Sequence, residues 1–178
     1  MPGSPIPDNQ MVTVMVAETT FAVLTMPGKK YRVDFVEKAE ALLKPGMRGK
    51  FFSCSEHPLL LRYNSGSVSV YINSLPQDPQ SLFGEIQARI QALLQSWRDW
   101  REEYSAKQLL RNLAEGTGLL LDAPVPVAKA VIAACTAHGV ATWVADPLEL
   151  ETEATPAFHL LLVGDGYVIA EDFRFVPL

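Results

Sequence analysis

The chain holds two cysteines and three histidines, and each cysteine is followed three positions later by a histidine: Cys54-Ser55-Glu56-His57 and Cys135-Thr136-Ala137-His138. Thiolate and imidazole are the usual ligands of tetrahedral zinc. The short spacing lets each pair share one ion, so convergence of the two pairs would build a Cys2His2 site. Each half also has a local explanation. Cys135 lies in the apolar run from Val131 to Ala134, where a thiol behaves as a small core residue, and His138 stands where a helix ends and a cation is favoured. The local explanation carries more weight, so the expectation is no cofactor, with zinc on Cys54, His57, Cys135 and His138 as the alternative. Nucleophilic use of either thiol is weaker still. A helical i, i+3 pair does not bring an imidazole nitrogen onto the thiol in attack geometry, and neither cysteine sits in a nucleophile elbow.

Asp122 and Asp146 stand at the ends of two apolar runs that read as strands of one β-α-β unit. Ligands bind at the carboxyl ends of parallel strands, so the two acids could share a cleft and divide acid and base roles or hold a hard cation. Against this, Asp146-Pro147 is a common way to start a turn, and Asp122 just upstream of Pro124 suits a helix entry. Gly164-Asp165-Gly166 lies between strands, not ahead of a helix, so it lacks the context of a phosphate-binding loop. The loop from Leu43 to Lys50, with Lys29, Lys30 and Arg32, is the place to look for a local positive patch.

The third candidate is aromatic: Trp97, Trp100 and Tyr104 interleaved with Arg98, Arg101, Glu102 and Glu103. Tryptophan, tyrosine and arginine dominate interface hot spots because they cover much area at low entropic cost. They fall at the end of the most regular pattern in the chain. From Ser81 to Tyr104 the residues Phe83, Ile86, Ile90, Leu93, Trp97, Trp100 and Tyr104 recur in steps of three and four, which keeps one seam on one helix face. The seam from Phe83 to Leu93 reads as core. Its aromatic end weighs evenly between core and partner.

The elements that must position these residues follow from periodicity and turn chemistry. Residues 1–10, with three prolines, read as a loose tail. Residues 11–74 form a β-rich part: runs at Met11 to Val16, Phe21 to Met26, Tyr31 to Phe35, Lys50 to Ser53, Leu59 to Arg62 and Ser67 to Asn73, several alternating with period two. Pro27-Gly28 and Asn64-Ser65-Gly66 are hairpin signals, and Val36 to Leu43 reads as a short helix stopped by Lys44-Pro45-Gly46. Residues 75–80 form a connector. Residues 81–178 carry the long helix, a second helical segment from Ala106 to Glu115, a helix from about Pro126 to His138 between two strands, and a C-terminal hairpin around Gly164. The expected fold class is α+β: a small barrel or curved antiparallel sheet, a long amphipathic helix, a small β-α-β unit and a terminal hairpin, packed as one unit along the helix.

Composition sets the outer limits. The chain has 178 residues, 48% hydrophobic and 20% charged, with 15 basic against 20 acidic side chains. That is enough apolar content for a core without staples, and it excludes disorder as the main state. No broad basic field exists to neutralise phosphates, so nucleic acid is not the expected partner. Two cysteines impose no disulfide framework, no apolar run spans a bilayer and no signal segment is visible, so the expected setting is soluble and cytoplasmic. The weak catalytic constellations and the strong seam favour a non-enzymatic interaction, adaptor or assembly factor. It would bind a protein partner, or a second copy of itself, through Trp97, Arg98, Trp100, Arg101 and Tyr104. The alternative is a small enzyme using an Asp122/Asp146 cleft or the Cys/His metal site.

Overall fold

A computed structural model of the chain describes residues 4–145, 147–150 and 157–178. In chain order its elements are β1 (Met11–Ala17), β2 (Phe21–Met26), β3 (Lys29–Ala41), β4 (Arg48–Cys54), α1 (Leu61–Asn64), β5 (Ser67–Ile72), α2 (Pro79–Leu94), α3 (Trp100–Glu103), α4 (Ala106–Glu115), β6 (Gly118–Pro124), α5 (Val125–Ala137), β7 (Thr142–Val144), β8 (His159–Val163) and β9 (Gly166–Pro177). The fold is α+β, with a closed six-stranded antiparallel barrel and a second, three-stranded sheet. No helix among the described residues is long and apolar enough to cross a membrane. The chain divides into two units, one made of residues 1–63 and 156–178 and the other of residues 64–155.

The first unit is the barrel, in the order β1-β2-β3-β9-β8-β4 with β4 returning to β1. Alternation in the β-branched runs turns Val12, Val14, Leu24, Tyr31, Val33 and Phe51 inward. Closure pairs every strand on both sides, which removes the exposed edges that make an open sheet prone to association. Gly49 and Gly164 let β4 and the β8–β9 turn approach closely. A methyl group on Gly49 would lie 2.3 Å from the Gly164 Cα, and Gly164 itself has φ 60°. The C-terminal hairpin is present as expected, and its strands belong to the barrel, so this unit draws on both ends of the given sequence.

Three local expectations change in this unit. The span Val36 to Leu43, expected as a helix, continues β3 through Ala41, because pairing with β9 supplies its backbone partners. The span Leu59 to Arg62, expected as a strand, is a helical turn. Pro58 occupies its first position, and the His57 Nδ1 accepts from the Leu59 N–H at 3.3 Å. The part of the expected loose tail that is described, residues 4–10, is tied down: Ile6, 1% exposed, joins the barrel core, and the Asn9 N–H donates to the Phe51 carbonyl at 2.8 Å. One isoleucine among prolines is a faint signal in composition, and only the cavity that receives it makes it core.

In the second unit β5 is the centre of the sheet β6-β5-β7 and runs antiparallel to both neighbours. The expected β-α-β unit is therefore β6-α5-β7, with β5 lying between its two strands. Helices α4 and α5 pack on the sheet, and α2 packs on both of them. Asp78 caps α2 by accepting from the Gln80 and Ser81 N–H groups, with Pro79 in the first turn.

The long helix ends at Leu94, ten residues short of Tyr104. Gln95 takes φ 55°, a left-handed value that stops the helix, and Asp99 then caps the separate turn α3 by accepting from the Arg101 N–H at 2.9 Å. The side-chain amide of Gln91 holds the link between them, donating to the Arg98 carbonyl at 3.0 Å and accepting from the Trp100 N–H at 3.3 Å. The sequence seam therefore folds back on itself. Trp100 is 2% exposed and meets Phe83 edge-on, the ring centroids 5.8 Å apart.

Candidate functional site

The sheet of the second unit has two unlike faces. Along β5 the residues Val68, Val70 and Ile72 are buried beneath the helices, which leaves Ser69 and Tyr71 on the opposite face. Residues directly paired in antiparallel strands share a face. Ser69 is opposite Asp122, and Tyr71 is opposite both Leu119 on β6 and Trp143 on β7. This outer face thus gathers Ser69, Tyr71, Leu119, Asp122 and Trp143 from three strands.

Two contacts organise it. The Tyr71 and Trp143 rings stack at 4.1 Å with planes 7° apart, and Trp143 remains 47% exposed. The Ser69 hydroxyl donates a hydrogen bond to the Asp122 carboxylate. A bulge in β6 sets one extra residue, Leu120, between the pairs Tyr71–Leu119 and Val70–Leu121, so Leu121 faces the core while Asp122 is returned to the outer face. Beside β6 runs a groove of about 320 Å³, bounded by Glu103, Tyr104, Ser105, Gln108, Leu119 and Asp122 among others. Its lining combines the leucines of β6 with the oxygens of Glu103, Tyr104, Ser105 and Asp122 and the amide of Gln108. The face and its groove offer an aromatic platform, a fixed carboxylate and a slot for one side chain.

The residues singled out from sequence separate on this frame. Trp100 is core, and its assignment to a partner surface is corrected. The break at Gln95 turns it inward, where its area is worth more against Phe83 than against solvent. Trp97 is half-buried. Arg98 forms an ion pair with Glu103 at 2.7 Å, with side chains only 16% and 22% exposed, so it works inside the α2–α3 link. Arg101 is exposed beside Asp99 at 3.6 Å. Tyr104 reaches the groove, where it meets Asp122 as a fellow lining residue. Asp146 lies outside the described residues.

The two Cys/His pairs belong one to each unit, and each is occupied locally. Cys135 is fully buried on α5, and burial pushes its thiol up to about 11. His138 ends that helix with its Nε2 2.8 Å from Glu85 of α2. Glu85 also accepts two hydrogen bonds from Arg89, at 2.8 and 2.6 Å, and these, ahead of the bond with His138, hold its carboxyl below the usual range. Burial raises the Cys54 thiol, a nearby Glu56 N–H partly opposing it, and burial lowers the His57 imidazole. Among the described residues no group of three or more His, Cys, Asp or Glu side chains is placed to hold a metal ion.

Sequence reasoning missed Ser69, Tyr71 and Trp143. A signal was present: Val68-Ser69-Val70-Tyr71-Ile72 alternates cleanly, and Tyr71 falls on its polar side, where a large aromatic is out of pattern. Trp143, in a short run between Gly139 and Pro147, carried no such mark. No known protein family, curated protein or solved structure matches the chain.

Proposed function

We propose that the protein is a non-enzymatic interaction factor whose second unit docks a protein partner on the outer face of the sheet, a second copy of the chain being the first partner to test. The observation that carries this reading is the Tyr71–Trp143 stack, which leaves a large indole surface exposed on a face turned away from the helices. Stacking holds both rings in one orientation before any partner arrives, so little side-chain entropy is lost on docking. Asp122, fixed by Ser69, adds a charge that selects register. The reading moves the partner surface from the helix end to the sheet, because Trp100 is interior while Trp143 is not. A reducing, cytoplasmic setting is part of the proposal, supported by two free thiols.

The test is site-specific photocrosslinking with benzoylphenylalanine in place of Ala145, an exposed residue next to the stack. A defined crosslinked protein, either another copy or one recovered from native extract, should form in the parent background and disappear with Trp143→Ser. The same crosslinker at Lys107 on α4 should give none. Products that survive Trp143→Ser, or no product at Ala145, would overturn the reading.

A further inference from the structure

The barrel wall carries one charged side chain where its pattern calls for an apolar one. Along β3 the inward positions are Tyr31, Val33 and Phe35, the last opposite Phe173. Strict alternation would next turn Glu37 inward. Instead Glu37 adopts φ 45°, a left-handed value that costs a residue with a side chain about 1–2 kcal/mol, and it is exposed. The inward register passes to Lys38, opposite Ala170, and after a bulge to Ala41, opposite Val168. Ala170 and Val168 are both fully buried members of the barrel core, so Lys38 shares their face. The backbone thus departs from its easy path in a way that carries an acid out and a lysine in.

Lys38 opens onto a cavity of about 280 Å³ at the end of the barrel, walled by Phe35, Ala41, Leu43 and Val168, with Glu18 and Thr19 of the exposed β1–β2 turn at its rim. Among the described residues Lys38 has no ion pair and no side-chain hydrogen bond. Mouths of barrels are common small-molecule sites, since strands fix the wall and turns can vary. An ammonium with no partner of its own selects an anion. Two features narrow the class. A single cation with the Glu18 carboxylate lining the same cavity suits one negative charge better than two, and the volume, just below the roughly 300–1,000 Å³ of small-ligand pockets, admits only a compact body.

We propose that the barrel mouth is a binding site for a compact monocarboxylate, its carboxylate held by Lys38 and its body beside Phe35 and Leu43. This site stands independently of the sheet face of the other unit.

Benzoate is the probe, with benzamide as its neutral counterpart and inorganic phosphate as the more highly charged anion, each titrated by calorimetry and by methyl and aromatic NMR shifts on the full chain. Benzoate should bind at least about tenfold more tightly than benzamide or phosphate, as expected for a charge-assisted contact, and should shift Phe35, Leu43 and Val168. Lys38→Met, which keeps the length of the side chain, should weaken benzoate about tenfold or more and leave benzamide unchanged. Lys38→Arg should retain binding, and Glu18→Gln should strengthen it two- to threefold, roughly the effect of removing one exposed like charge. Failure of benzoate to bind the parent chain, equal binding of benzamide, preference for phosphate, or shifts that map outside the barrel mouth would each overturn the proposal. The parent-chain shifts decide the matter even if Lys38→Met does not fold.

Discussion

The barrel and the three-stranded sheet handle the same problem, unpaired strand edges, in opposite ways. The barrel closes on itself, so its strands present no free edge. The sheet stays open: β6 and β7 are edges, one face lies under helices, and the other presents aromatic rings. Closure leaves room for a small molecule at a mouth. An open face with two edges is suited to another chain.

The comparison can be broken first at the tryptophans. Trp100→Ala should destabilise the second unit by about 3–5 kcal/mol, the usual result of emptying an aromatic core site, while Trp143→Ala should cost no more than about 1 kcal/mol. Urea titration followed by tryptophan emission reads this directly, because Trp97, Trp100 and Trp143 all lie in that unit. Similar losses for the two variants would mean that the outer face is structural.

Close packing gives the next largest effect, and it belongs to the barrel. Gly49→Ala places a methyl against the backbone of Gly164, which cannot yield as a side chain would, so a loss of about 3 kcal/mol is expected. Thermal unfolding by far-ultraviolet circular dichroism checks it. The same change at Gly28, where the added carbon meets nothing within 4 Å, should cost only the strain of its positive φ of 74°, about 1 kcal/mol.

A smaller effect separates the units by pH. The Cys135 thiol is pushed up from 9.0 to about 11 by burial, so its neutral form is favoured in the folded state. The sign follows: that stability is fully present below pH 9.0 and is lost as pH rises through about 11, a loss on the order of 2–3 kcal/mol. Tryptophan emission should show the second unit weakening across this window, and Cys135→Ala should remove the alkaline slope. At the acid end Glu85, held low by Arg89 and His138, contributes stability that is present above its ordinary value and lost as pH falls through its depressed one. Glu85→Gln should flatten that acid limb slightly, the least of these effects.

Much of the architecture was legible because its signals are local. Period-two runs marked most strands, Pro27-Gly28 marked a hairpin turn that the structure keeps, and the second helical segment, Ala106 to Glu115, is α4, whereas Asn64-Ser65-Gly66, expected as a hairpin, comes at the end of the helical turn α1. Errors came where one pattern admits two structures. Val36 to Leu43 has the composition of either a short helix or a strand, and pairing with β9, far along the chain, decided for the strand. The seam from Phe83 to Tyr104 is continuous in sequence, yet the left-handed turn at Gln95 and the amide of Gln91 cut it. Of the candidate surface, Asp122 and Tyr104 were named from sequence as unrelated features and share a groove in the fold.

The amino-acid order by itself determined many of the turns and strands and that the fold is α+β, since turn chemistry and alternation act over a few residues. Tertiary structure alone decided which strands share a sheet, which tryptophan is covered and which side of the barrel wall receives Lys38. Those outcomes depend on a partner strand or helix many residues away. Burial rewards any apolar surface regardless of its place in the chain, so the choice between Trp100 and Trp143 rests on geometry that local preference does not carry.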